Sequence, residues 1–389
     1  MVKILPRSID IGRLLLSGVL VCSVTGCQAP KPIAKPSPVP SGKLESYLKL
    51  NKATLEQTDA KGQSLWKIQV EDAIYTPDRK NATLSGIKGN LFTDGKIVLK
   101  VSADKGEIQK DGEIVILRHN IIAVDPRNKA VIRSNEAEWR PKESLLIIRK
   151  DFKGSHPQLE VTAKEGRYET RRQRVDLSGN IVGVSAQKRL QLKTEHLFWL
   201  IAESKILSDQ LMKVSRFEDK LITDQVVTKQ AELQLNTKLL QIRESVDFKS
   251  LKPPLQIAGT LINWYYEKRL VDSSQPLKIV DYEQQITITG NQGKVDLNQR
   301  MAWLAGGTQG ISQQNQATLF ANNLTWNMAD QTLEALGNVI YQQSKSPKFN
   351  LTGERAIGIL QNNSVVVTSD KQDRVVTEIY PEPKQAKNP

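Results

Sequence analysis

From about residue 44 to residue 370 the chain alternates apolar and polar residues, and this period of two constrains the fold more than any other feature. Trp66-Lys-Ile68-Gln-Val70, Ile97-Val-Leu99-Lys-Val101, Leu190-Gln-Leu192 and Ile286-Thr-Ile288 each place apolar side chains on one face of an extended backbone. The i, i+3, i+4 spacing of an amphipathic helix is not sustained anywhere in this stretch. The body is therefore expected to be nearly all β.

The alternation is organised into a repeat. Ala163-Lys-Glu-Gly166-Arg-Tyr168 is followed by Val175-Asp-Leu177-Ser-Gly179-Asn180-Ile181, with Gly179 sixteen positions after Ala163. Ala321-Asn-Asn-Leu-Thr-Trp326 leads to Leu333-Glu-Ala335-Leu-Gly337-Asn338-Val339 at the same offset. Ala103-Asp-Lys-Gly106-Glu-Ile108 leads to Leu117-Arg-His119-Asn120-Ile121, with His119 in the glycine position, and Gly290 leads to Gly306. Weaker copies begin near Val70, Ala137, Thr194, Ala231, Gly259 and Gly353, and Trp139, Trp199 and Trp264 close the first strand of several units. Each unit reads as a strand, a polar turn such as Glu169-Thr-Arg-Arg-Gln-Arg174, and a returning strand ending in Gly-Asn, where glycine suits a bend or bulge. Such a hairpin buries only one face, so neighbours must stack. The predicted fold is an elongated β-jellyroll, two folded-over, V-shaped antiparallel sheets built from stacked hairpins. About ten units of two strands at ~4.8 Å would extend on the order of 100 Å.

The amino terminus reads as an address. Lys3, Arg7 and Arg13 precede the apolar run from Leu14 to Val24, too short for a bilayer core that needs about 20 helical residues. A basic segment, a short apolar run and small residues form a secretory signal over 1–26, and Val24-Thr25-Gly26-Cys27 resembles a bacterial lipobox, with Cys27 as the lipidated residue. Residues 27–43 hold five prolines and form an extended, lipid-anchored spacer. The segment 371–389, rich in charge and proline, is expected to be a disordered tail. Between them lie 44–250 and a continuation of the same repeats over 251–370.

Leu55-Glu-Gln-Thr-Asp59-Ala-Lys-Gly62, Leu65-Trp-Lys-Ile68, Ala73-Ile-Tyr75 and Ala103-Asp-Lys-Gly106-Glu-Ile108 stand in an order and register that resemble the start of the LptC family, the periplasmic component of the lipopolysaccharide export bridge. Leu-Ser-Gly179-Asn180-Ile181 and Leu336-Gly337-Asn338-Val339 are similar to units shared by LptC and its soluble relative LptA. This chain departs from the family in carrying roughly twice the β array and a lipobox in place of a transmembrane helix. The resemblance implies a periplasmic, membrane-anchored protein, expected at the inner membrane. It implies lipopolysaccharide as cargo, received from the subunits of an inner-membrane ABC transporter. It also implies bridge proteins of the LptA or outer-membrane translocon kind as partners, docked by edge-strand pairing. Trp66, Ile68, Val70, Ile97, Leu99 and Val101 are then candidate linings of a lipid groove, although such a stripe also fits a closed core.

Little in the residues points to chemistry. His119, His156 and His196 form no metal-binding pair, no GxSxG elbow is present, and Ser41-Gly-Lys43 lacks the remainder of a phosphate loop. No catalytic residue, metal or cofactor is expected, and nucleic acid is not a partner suited to an exported chain. Both cysteines, Cys22 and Cys27, precede the body, so disulfides cannot staple it. The net charge of +13 is concentrated in part at Lys164, Arg167, Arg171, Arg172 and Arg174, and at Lys188, Arg189 and Lys193, which could attract anionic lipid or simply keep an outer face soluble. Two other readings remain open here, a lipid-anchored structural or adhesive β-solenoid and a β-helix enzyme with an acidic cluster on one sheet face.

Overall fold

A computed structural model of the protein describes residues 3–4, 47–346, 348–369 and 374–380. The expected lipidation site Cys27, the proline spacer and all of the signal except Lys3–Ile4 lie outside the described residues. Those two residues form a short strand against Glu56 and Leu55. The rest is β: antiparallel strands, the long ones of 10 to 14 residues, from Leu48–Thr58 through Ser64–Tyr75 and Ala82–Thr93 to Lys348–Ile359, with the same path elsewhere split into two short strands such as Leu145–Lys150 and Phe152–His156, both paired with Val131–Arg140. Only two short 3₁₀ turns, Pro141–Glu143 and Leu360–Asn362, interrupt it, and no described helix is long and apolar enough to cross a membrane.

The repeat seen in the sequence is a repeat of corners. In Arg174–Ser185 the pairing register skips between Ser178 and Ile181, where Gly179 and Asn180 take left-handed backbone (φ +79° and +49°). The same skip falls at Gly306 and Gly307 and at Gly337 and Asn338. It also falls at His119 and Asn120 (φ +63° and +50°), where a bulky side chain occupies the conformation that glycine adopts without strain. The expected end of the returning strand is thus its midpoint. The strand passes through the bend, the corner residues face outward, and inward alternation resumes beyond it, as in Val175, Leu177 and then Ile181. Each long strand therefore contributes half its length to each of two sheets.

This geometry puts every hairpin turn opposite the corners. One row of turns holds 59–63, 94–95, 125–130, 219–220 and 252–253, and the other holds 110–113, 141–144, 170–173, 201–204 and 266–269. From 141–144 onward each turn of the second row is tied to the next by a backbone bond, as in Ile201 N–H to Gln173 O at 3.0 Å, Leu235 N–H to Ser204 O at 2.8 Å, and Met328 N–H to Arg300 O at 2.9 Å. The two rows are the lips of the V. Between the sheets, one contiguous apolar cluster runs from Leu55 to Leu333, and a smaller one of Ala321, Ala335, Val339 and Ala356 continues it.

The terminal tail is corrected in part. Val376–Tyr380, expected to fray, pairs antiparallel with Lys348–Thr352, because its alternation extends the final sheet by one more edge. Pairing is also continuous through residue 250, where Leu239–Leu251 is in register with Pro254–Tyr265.

Candidate functional site

The interior is built from two rows of inward-facing residues, one per sheet, each continuous in register. On the first, Leu55 is opposite Ile68, Ile68 opposite Gly89 and Gly89 opposite Val101. The row continues to Phe248, Ile257, Ile279 and Ile288 far along the array. On the second, Tyr75, Ala82, Ile108, Val115 and Trp139 stand side by side on successive strands, and the line runs on to Trp326 and Leu333. Alternation keeps the rows inward because a slip of one residue would turn the whole apolar set to water.

Of the candidate groove residues, Trp66, Ile68, Val70, Leu99 and Val101 are buried in this interior. Ile97 is not with them. A register shift where Leu91 and Phe92 pair with the strand moves the alternation by one, so Val98 is buried and Ile97 is only half-buried. In this conformation the five buried residues are packed core: Trp66, Ile68 and Leu99 have 0% exposure, and the Trp66 indole donates to Gly112 O at 3.0 Å.

The lips are closed by contacts of a different kind from the sheets, each made by a side chain that reaches a side chain or a carbonyl across the mouth. Near the amino-terminal end they stand apart around a polar cleft of about 550 Å³ lined by Asp59, Asp94, Lys110, Glu113, Lys142 and Arg171. At its edge Arg171 makes a two-pronged pair with Asp94 at 2.9 and 3.2 Å, and the hydroxyls of Thr93 and Thr170 meet at 3.2 Å. Next, Arg127 donates to Asp125 at 2.9 and 2.5 Å and to Thr170 O at 2.8 Å, while the Tyr168 hydroxyl donates to Asp125 and Asn128 donates to Gln173 at 2.8 Å. Burial, then the Asp125 carboxylate, pushes the Tyr168 phenol well above its usual pKa, so it stays a donor.

The deepest tie lies further along. Asp224, fully buried, accepts from Arg269 Nε at 3.1 Å and Nη2 at 2.9 Å and from Thr223 Oγ1 at 2.8 Å. Arg269 also donates to Lys252 O at 2.5 Å, and Arg216 donates to Tyr266 O at 2.9 Å across the same gap. Asn315 to Asn363 at 2.9 Å is a lighter tie near the far end.

Beyond it the interior loosens. An apolar cleft opens among Ile311, Leu319, Leu333, Tyr341, Ala356 and Leu360. Large apolar side chains come to the surface on the last strands, including Ile340, Ile357, Val366 and Ile379. Among the described residues the array thus ends in an open, greasy edge.

The remaining sequence candidates serve the frame. Within the basic cluster, Arg171 is a lip tie, Arg172 pairs with Glu169 at 3.3 Å and Arg174 lies 4.0 Å over the Phe198 ring. His119 is a corner residue, and His156 packs edge-on against Trp199. His196 bridges Asp176 and Asp209 at 3.0 Å each; burial opposes its charge, but the two carboxylates outweigh it and hold its pKa above the usual value. No group of three potential metal ligands occurs among the described residues. Sequence reasoning missed the lip ties, because Asp94 and Arg171 stand 77 positions apart and Asp224 and Arg269 stand 45 apart. The available signal was a buried-type acid within an alternating strand, Asp224 in Leu221–Thr228, which breaks the pattern and needs a cation.

Comparison with known proteins gives a family match and several structural likenesses. Residues 14–147, about a third of the chain, match the family model described as lipopolysaccharide-assembly, LptC-related. The motifs between 55 and 108 lie inside that stretch. No curated protein matches the chain. Among solved structures it is similar to LptH of Pseudomonas aeruginosa, described as the LptA homologous periplasmic component of the conserved lipopolysaccharide transport device. The identity is 12%, with 41% of this chain and 95% of that chain covered and a TM-score of 0.25.

Proposed function

We propose that this protein is a periplasmic component of lipopolysaccharide export, taking the lipid from an inner-membrane ABC transporter and passing its acyl chains along the apolar interior while the sugar-phosphate head stays outside the lips. The observation that carries this reading is the unbroken, in-register apolar interior beneath a mouth held by side chains alone. Backbone ladders need not break for the lips to part. The LptC-related stretch supports the same reading from an independent direction.

The energies are compatible with opening. Releasing a buried ion pair costs about 3–5 kcal/mol, whereas taking an acyl chain of about twelve methylenes out of water contributes roughly 10 kcal/mol at ~0.8 kcal/mol each. For a chain that would otherwise cross the periplasm exposed to water, shelter in the interior offsets the loss of one tie at a time. The open apolar edge at Ser364–Thr368 and Val376–Tyr380 offers strands for a bridge partner to extend. A lipid on Cys27 would hold the other end at the membrane.

A lipid-anchored structural or adhesive β-solenoid, a plain rod, is the competing reading, and the close packing of Trp66 and Leu99 favours it. Photo-crosslinking in cells separates the two. Probes at Trp66 or Leu99 should capture lipopolysaccharide, and probes at outward Lys67 or Lys100 should not. Capture only from outward positions would leave the rod.

A further inference from the structure

Five of the six aromatic residues on the second inward row, all but Tyr168, form a series that the transport reading does not use. Tyr75, Trp139, Trp199, Trp264 and Trp326 are all buried, and all stand in one register line. Between Tyr75 and Trp139 the line passes through Ala82, Ile108 and Val115, so the aromatic recurs on every fourth strand. The same count holds from Trp139 through Leu146, Tyr168 and Val175 to Trp199, and onward to Trp264 and Trp326. Four strands at ~4.8 Å put the members ~19 Å apart.

Their polar atoms share a second property. The Tyr75 hydroxyl and the indole N–H of Trp139, Trp199, Trp264 and Trp326 are buried and have no hydrogen-bond partner. Trp66, buried off this line, has one in Gly112 O. An unsatisfied buried donor costs about 1–3 kcal/mol, so packing alone would favour Phe or Leu at these sites. The neighbouring line members Leu146, Ile206 and Leu233 show that aliphatic side chains fit there. Each aromatic is also among the last inward residues before a turn: Trp139 precedes Pro141–Glu143, and Trp326 precedes the turn at 328–331. The indole donors therefore line the interior just behind the lips.

An indole N–H gives a hydrogen bond and accepts none, so what it fits is an acceptor set at the border between apolar chains and a polar head. Ester and amide carbonyls of an acylated glycolipid occupy that border; hydrocarbon alone supplies no acceptor. We propose that Trp139, Trp199, Trp264 and Trp326 form a file of equivalent docking points for the acyl carbonyl oxygens of the lipid in transit. The inference rests on the transport reading and adds to it a defined step, since a lipid advancing ~19 Å meets the same donor in the same setting.

The test is proton–nitrogen NMR of the full chain with its tryptophan indoles labelled by ¹⁵N, each resonance assigned by a Trp→Phe variant. The probes are purified rough lipopolysaccharide and, as a control that supplies no acceptor, dodecane. In the lipid-free protein the four indole protons should resonate upfield, as unbonded N–H groups do. Lipopolysaccharide should move them downfield while dodecane does not. Four indoles already hydrogen-bonded without lipid, or a retained lipopolysaccharide that leaves them unmoved, would overturn the docking file and leave transport standing. Failure to retain any lipopolysaccharide on gel filtration would overturn both.

Discussion

Replacing Asp224 by Asn keeps the shape of the deepest tie and removes its charge. Asp224 has no exposure, and its partners Arg269 and Arg216 have side chains only 9% and 5% exposed. Two guanidinium groups would then share a nearly dry site with only the Glu218 carboxylate left, 3.3 Å from Arg216, and breaking a buried pair in this way costs about 3–5 kcal/mol. In a stacked array the loss is felt locally, through the strands that the tie joins, rather than as one global transition. The assay is therefore amide exchange in Leu221–Thr228 and at the turn 266–269. Tenfold in rate is about 1.4 kcal/mol, so exchange through local opening should accelerate by about 10² to 10⁴. A second substitution, Arg269→Met, made on top of Asp224→Asn should recover part of the protection, because it removes one stranded charge. An acceleration below tenfold in Asp224→Asn would refute the view that this pair holds the lips, and the mouth would have to be closed by packing.

Two further perturbations probe the frame. The raised pKa of His196 means that its pairing with Asp209 and Asp176 contributes in full below the unfolded histidine pKa of about 6.5 and is lost as pH rises through the higher folded value. The stability difference between wild type and His196→Gln should accordingly shrink across that window, and a difference that grew with pH would reverse the sign. At His119 the left-handed φ of +63° carries a Cβ strain that glycine avoids, so His119→Gly should stabilise the corner by up to about 1 kcal/mol, read as slower exchange in Ile114–Val124.

Much of the framework could be read from residue order. The sixteen-residue offset located the corners at Gly179, Gly306 and Gly337 because a left-handed bend leaves a compositional mark, and His119 was found in the same place by register alone. Trp139, Trp199 and Trp264 were visible as strand-closing aromatics for the same reason. What alternation could not report was the state of the mouth. Inward residues look alike whether the sheets stand apart or touch, and the ties that decide it join turns on opposite lips, such as Thr93 with Thr170 and Asn128 with Gln173. Ile97 was misplaced because a register shift leaves no trace in a run of Ile-Val-Leu. The unmet indole donors were equally hidden, since hydrogen-bond satisfaction depends on neighbours from other strands.

A reversible lock across the lips tests most directly whether the mouth must part. The hydroxyls of Thr93 and Thr170 are 3.2 Å apart on facing lips, so Thr93→Cys with Thr170→Cys is placed to form a disulfide there. In cells depending on this protein, the oxidised double variant should stop lipopolysaccharide from reaching the outer membrane, and each single variant, or reduction of the double one, should restore delivery. Undiminished delivery with the disulfide fully formed would mean that lipid passes without the lips separating at this point.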